Sequence, residues 1–113
     1  DGSVPFTHYQ RAPVHRDETE ERLTLALDVP GFASDNINVS TEGDDSCLVI
    51  EGSRTNRVGD TFYVQERFVL DKETYKLDTT QGNLSDGVLE IKIQKRPKPQ
   101  PRVISITTHK KPD

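Results

Sequence analysis

Lys76-Leu77-Asp78-Thr79-Thr80-Gln81-Gly82-Asn83-Leu84, then Ser85-Asp86-Gly87, then Val88-Leu89-Glu90-Ile91-Lys92-Ile93: this stretch decides how the chain folds. Asp-Gly between two strand-like runs is the signature of a type I′ hairpin, because both central residues need φ > 0 and Asp and Gly reach it with the least steric strain. After the turn, Leu89, Ile91 and Ile93 alternate with Val88, Glu90 and Lys92, which is the period of a strand with one face in a core. The hairpin therefore predicts two antiparallel strands, Lys76–Leu84 and Val88–Ile93.

The same period recurs upstream. Leu23, Leu25, Leu27 and Val29 alternate with Thr24, Ala26 and Asp28 until Pro30-Gly31 stops the run. Asn36 to Glu42 carries Ile37 and Val39 on one face, Glu42-Gly43-Asp44-Asp45-Ser46 is a turn, and Leu48 and Ile50 lead a strand to about Arg54. Residues 55 to 61 form a polar loop. Phe62 to Leu70 is the longest strand candidate, with Phe62, Val64, Phe68 and Leu70 on one face and Glu66 interrupting that stripe. No segment has a helical period and no internal repeat is present. Several short strands with turn signals between them predict an all-β chain folded as an antiparallel β-sandwich.

The length of 113 residues allows one domain with short extensions. Hydrophobic residues make up 31% and charged residues 30%, with 6% aromatic and neither Trp nor Met, which is lean for a globular domain but short of disorder. Residues 1–91 hold 18 acidic and 8 basic side chains, whereas residues 92–113 hold 7 basic and 1 acidic. The basic end lacks interleaved aromatics for stacking on bases, and its prolines forbid an amphipathic helix, so nucleic acid and membrane are not expected partners. The lone Cys47 has no internal disulfide partner and no apolar stretch is long enough for a signal or a span, so an intracellular, cytoplasmic location is the expectation.

Signals for chemistry are weak. No G-x-x-x-x-G-K-[ST] loop suggests nucleotide hydrolysis, and no G-x-S-x-G elbow suggests an acyl nucleophile. His8, His15 and His109 lie far apart without Cys or carboxylate at ligand spacing and read as solvated. Glu42, Asp44 and Asp45 fall short of a calcium loop, and Cys47 reads as a small, partly buried apolar residue. The Asp17–Glu21 run reads as a solvated hairpin tip. Asn38-Val39-Ser40 and Asn83-Leu84-Ser85 fit the glycosylation sequon but mean little without a secretion signal. The expectation is no enzyme, no metal and no cofactor.

Four elements in order carry a resemblance. Gly82 to Leu89 resembles the A-x-x-x-n-G-V-L signature of the α-crystallin domain of small heat-shock proteins (the Hsp20 family), with Gly82 in place of the usual Ala. Asp28-Val29-Pro30-Gly31 resembles its D-[LV]-P-G turn, Leu48-Val49-Ile50-Glu51-Gly52 its L-x-I-x-G strand, and Ile104-Ser105-Ile106 its I-x-I tail motif. The resemblance implies an immunoglobulin-like sandwich over residues 13–95. It is flanked by an N-terminal segment, 1–12, whose upstream region lies outside this sequence, and by an extended tail, 96–113. It implies an ATP-independent chaperone that holds partly unfolded clients, assembles with copies of itself and takes no cofactor. A co-chaperone or adaptor domain of the same fold is the alternative.

The tether Arg96-Pro97-Lys98-Pro99-Gln100-Pro101-Arg102 favours an extended path that can carry Ile104 and Ile106 away from their own domain. The resemblance implies that they enter a groove of another subunit lined by Ile37 and Val39 on one strand and Leu89 and Ile91 on another. The competing reading of Ile104-Ser105-Ile106 is an ordinary last strand folded back on its own sheet. Between Gly52 and Leu70 the chain is shorter than in members that swap a strand, so the expected homodimer pairs Phe62–Leu70 edge to edge across a two-fold axis. Tyr63, Gln65 and Arg67 are then on the outer face, and Glu66 is near Arg67 of the partner subunit. Glu66 stands where many members carry Arg and Asp71 where they carry Pro, so no interface arginine is transferred.

Overall fold

At the Asp86-Gly87 turn φ is +51° and +76°, the mirror-image turn the sequence predicts, in the computed structural model, which describes residues 4–112. Eight strands follow one another: β1 Thr7–Gln10, β2 Val14–Glu18, β3 Arg22–Asp28, β4 Ile37–Glu42, β5 Cys47–Thr55, β6 Thr61–Val69, β7 Tyr75–Ser85 and β8 Val88–Lys95. One 3-10 turn, Ser34–Asn36, precedes β4. They make two four-stranded sheets, in the orders β1-β6-β5-β4 and β2-β3-β8-β7, so the predicted all-β sandwich is the fold found. All pairings are antiparallel except β1 with β6, which is parallel.

The alternation read from the sequence is the burial pattern. Leu23, Leu25 and Leu27 of β3, Leu48 and Ile50 of β5, and Leu89, Ile91 and Ile93 of β8 share one buried cluster with Val29, Phe32 and Val64. Burying one such side chain contributes roughly 1.5–3 kcal/mol, so this cluster supplies most of the force holding the sheets together. Gly52 has no room for a side chain: a Cβ there would lie 3.0 Å from both Phe32 Cε1 and Val64 Cγ1. At the same end of the sandwich the Arg54 guanidinium lies over the rings of Phe62 (4.1 Å) and Phe32 (5.2 Å).

Two strands were not foreseen. β1 and β2 are exposed along almost their whole length, so neither carries a period-two apolar signal. The sandwich takes in part of the segment expected as a flank, and Ala12 is in the core cluster. The acidic run divides: Asp17 and Glu18 end β2, and only Thr19-Glu20-Glu21 form the turn, closed by the Thr19 N–H donating to the Arg22 carbonyl. Glu18 is no free solvated carboxylate. It accepts from Tyr75 Oη (2.7 Å), Arg16 Nη2 (2.9 Å) and Lys95 Nζ (3.1 Å), tying β2 to the far strands of its own sheet.

Two predictions follow from this packing. Gly52→Ala forces its neighbours apart and should lower unfolding stability by about 1–3 kcal/mol in urea, since overpacked cores strain rotamers and backbone. The hydrogen bond from Tyr75, then that from Arg16, holds the Glu18 carboxyl down at about 2. A depressed carboxyl stabilises the fold above its unfolded range and loses that effect as pH falls from about 4.5 through 2. Melting temperature should therefore drop more steeply between pH 5 and 2 for this chain than for Glu18→Gln; parallel curves would show that the cluster contributes nothing.

Candidate functional site

Three surfaces bear on the expected assembly. The first is the tail. Residues 96–112 form no strand or helix, so the motif does not fold back as a last strand of its own sheet. Val103, Ile104 and Ile106 are 98%, 78% and 90% exposed, which is unusual for β-branched aliphatic residues this close together. The tail's root is fixed: the Arg96 N–H donates to the Thr74 carbonyl (2.7 Å) and its Nε to the Lys72 carbonyl (2.8 Å).

The second is the opening between the sheets at β4 and β7, the edge strands on that side. A crevice of about 270 Å³ lies there, lined by Val39, Ser40, Thr41, Leu48, Thr80 and Gly82. Ile37 and Val39, expected on one wall, are partly buried and pack against the core. Leu89 and Ile91, expected on the second wall, are 4% and 0% exposed, because β8 is an inner strand between β3 and β7 and its apolar face is already used by the core. On that side the crevice is bordered by β7. There Thr79 and Thr80 donate their hydroxyls to the carbonyls of Lys76 and Leu77 (2.6 Å each), and the ladder with β8 slips between Lys76 and Gln81. Gly82 leaves the floor open: a Cβ at this position would meet only Leu89 Cδ1, at 3.9 Å.

The third is β6. Tyr63, Gln65 and Arg67 face outward and are exposed, as the alternation requires. Two expectations change. The outer edge of β6 is not wholly free, because β1 pairs with its first half, Thr7 with Thr61 through Gln10 with Val64. Glu66 points inward and is 6% exposed, so it is not available to Arg67 of the partner subunit. Its carboxylate accepts from Arg11 Nε (3.0 Å), Arg11 Nη2 (3.3 Å) and the Ala12 N–H (2.9 Å). This fork clamps the chain where it crosses from β1 to β2. Arg67 instead reaches Glu42 Oε2 (2.7 Å) diagonally across β5, above buried Cys47 and Val49. The Arg11 and Arg67 guanidinium groups are both pushed up by hydrogen bonds to these carboxylates.

The segment before β1 is also held. The Asp60 carboxylate accepts the Phe6 N–H (2.9 Å), the Phe6 carbonyl accepts the Thr61 N–H (2.9 Å), and the His8 ring stacks on Phe62 at 4.6 Å. Opposite, β5 and β6 pair without a break from Cys47 with Val69 to Thr55 with Thr61, leaving only residues 56–60 as loop, braced by the Asn56 side chain. Nothing in these surfaces gathers a nucleophile with a base. Among the described residues no three His, Cys, Asp or Glu side chains cluster to hold a metal, and no helix is long and apolar enough to cross a membrane.

The profile of the Hsp20/alpha crystallin family matches residues 15–107, from β2 through the tail motif. The chain belongs to this family. It is 30% identical over 82 residues to the mitochondrial heat shock 22 kDa protein of Glycine max and 32% identical over 96 residues to the 19.0 kDa class II heat shock protein of Oryza sativa subsp. japonica. These matches cover 69% and 71% of the chain, but only 37% and 54% of the relatives' own lengths. Among solved structures, a small heat-shock protein from Xylella fastidiosa superposes with a TM-score of 0.66 at 25% identity, covering 86% of this chain and 96% of that one. Heat shock protein 16.0 of Schizosaccharomyces pombe shares the fold at a TM-score of 0.69 and 16% identity, over 88% of this chain and 77% of that one.

The Glu66 clamp is testable in isolation. Glu66→Leu leaves the Ala12 N–H buried without an acceptor, a loss of about 1–3 kcal/mol, and frees Arg11. Amide exchange in Thr7–Gln10 should accelerate at least tenfold while β3 and β8 stay protected; unchanged protection in β1 would show that strand pairing alone holds the segment.

Proposed function

We propose that this protein is an ATP-independent holdase: it binds partly unfolded chains, keeps them soluble without turnover, and assembles with copies of itself through its tail. The observation that carries this reading is the exposed pair Ile104 and Ile106, held beyond an extended tether, in a molecule whose β4/β7 crevice stands open. The two isoleucines of one copy enter the crevice of another beside Val39, Leu48 and Gly82. Burying both side chains contributes about 3–6 kcal/mol before ordering costs, which suits subunits that exchange. Within a pair of copies, the part of β6 that β1 leaves unpaired, Gln65–Val69, meets the same segment of the second copy edge to edge, and Val69, 85% exposed, goes out of water there. The work is intracellular, in keeping with the single Cys47 and with relatives named for the mitochondrion and the chloroplast.

Ile104→Asp with Ile106→Asp should leave the fold intact and abolish species larger than a dimer in light scattering, because a carboxylate in an apolar crevice loses hydration without gaining a partner. Unchanged mass would remove the tail from the assembly contact. In a turbidity assay on a heat-stressed client, the unaltered chain should suppress aggregation equally with and without ATP. A strict need for nucleotide would end the holdase reading.

A further inference from the structure

The outer face of the β1-β6-β5-β4 sheet carries a feature the assembly reading leaves unused. Tyr9 and Tyr63 stack on each other there, with ring centroids 5.4 Å apart and planes 18° from parallel, yet remain 84% and 41% exposed. They wall an open depression of about 620 Å³ whose other borders include Arg11, Asn36, Glu51, Ser53 and Gln65. An exposed aromatic pair beside hydrogen-bonding side chains and a carboxylate suits an extended proline-containing segment: prolines pack against the rings, and the intervening backbone and cations meet the polar rim.

We infer that this tyrosine ledge takes the proline-spaced tether, Arg96–Arg102, of a second copy of the chain. The inference rests on the reading that the tail reaches another copy. The chemistry of the tether matches the ledge. Pro97, Pro99 and Pro101 alternate with Lys98 and Gln100, so in a strand-like extended path they share one side, about 6.6 Å apart, close to the 5.4 Å between the rings. Among the described residues Lys98 and Arg102 make no ion pair, whereas the ledge presents Glu51, with the neighbouring Arg11 already paired to Glu66, within a segment, residues 1–91, of 18 acidic against 8 basic side chains.

The prolines of the molecule's own tether fall short of the ledge. Its root is bound to Lys72 and Thr74, at the end of the sandwich where β6 finishes at Val69 and Lys72 Nζ meets Asp44 of the β4–β5 turn. Tyr63 lies six residues back along β6, roughly 20 Å away at about 3.3 Å per residue. From Arg96 to Pro99 the chain spans at most about 10 Å, and to Pro101 about 17 Å. A tail from a second copy has no such limit. With its isoleucines in the β4/β7 crevice, five residues from Pro99 to Ile104 reach about 16 Å. Tyr63 is two strands, roughly 10 Å, across from β4 and three residues, roughly 10 Å, along from the row of Val39, so about 14 Å away in all.

The test uses the full chain carrying Ile104→Asp and Ile106→Asp, labelled with ¹⁵N, and two synthetic peptides, residues 96–102 and residues 103–108. At millimolar concentration the first should shift the amides of Ser53, Tyr63 and Gln65, and the second those of Val39–Thr41 and Thr80–Gly82. Tyr63→Ser should weaken the first peptide about fivefold, in line with the loss of one aromatic contact, and leave the second unchanged. The first peptide with Lys98→Glu and Arg102→Glu should bind the unaltered ledge more weakly still. If residues 96–102 leave the ledge amides unmoved, or bind Tyr63→Ser equally well, the inference is overturned. Binding of 103–108 alone would then preserve the crevice reading, and binding of 96–102 alone would sink that reading while keeping the ledge.

Discussion

Leu23, Leu25 and Leu27 of one sheet and Leu48 and Ile50 of the other are closed to water in a single cluster, and this face-to-face burial determines where the molecule can meet others. A strand inside a sheet has its backbone paired on both sides and its apolar face in the core. β3, β8, β5 and the first half of β6 are used up in this way. What remains are the edges, β1, β2, β4, β7 and the second half of β6, together with the outer faces and the tail. Each surface proposed for assembly falls on one of these leftovers. The crevice opens where two edge strands face each other across the gap between sheets, which is why its wall is Thr80 and Gly82 of β7 and not the isoleucine stripe of β8.

Strands with one buried face were legible in the sequence, because burial imposes period two on side chains only where there is a core to meet. β3 and β8 show it residue by residue, and the Asp86-Gly87 turn set their chain neighbour β7 in place. β1 and β2 were invisible for the converse reason. Their side chains are exposed on both faces, their pairing is carried by backbone groups common to every residue, and Thr-His-Tyr-Gln has no pattern to read. Strand order is equally silent in a period, so Ile91 looked as suitable for a groove as Val39 although one lies inside a sheet and the other at its rim.

Glu66 shows what a local reading cannot recover. As an acid in an apolar stripe it looked like an interruption, and a partner across a dimer axis was a reasonable guess. Its actual partners, Arg11 and the Ala12 N–H, are 55 and 54 residues away. A carboxylate taken out of water needs its charge answered and its lone pairs filled. The fork from Arg11 and the backbone N–H together do this. One buried acid thereby fixes the point at which the chain leaves one sheet for the other, and with it the parallel β1 that borders Tyr63 with Tyr9.

In the proposed assembly the tail divides its labour according to what each residue can bury. Isoleucine offers aliphatic volume with a stiff side chain and suits an enclosed crevice, whereas proline offers a flat ring and a fixed φ and suits an open aromatic surface. Linking the two by a few residues makes the second contact intramolecular once the first has formed, so two contacts that are each weak hold together far better than either alone. Because each remains weak, the pair releases stepwise. On the proposed reading, in which a subunit leaves an assembly and exposes Ile104, Ile106 and Val69 to other chains, two shallow contacts on one tether serve better than a single deep one, since no step in its departure requires the whole interaction to be lost at once.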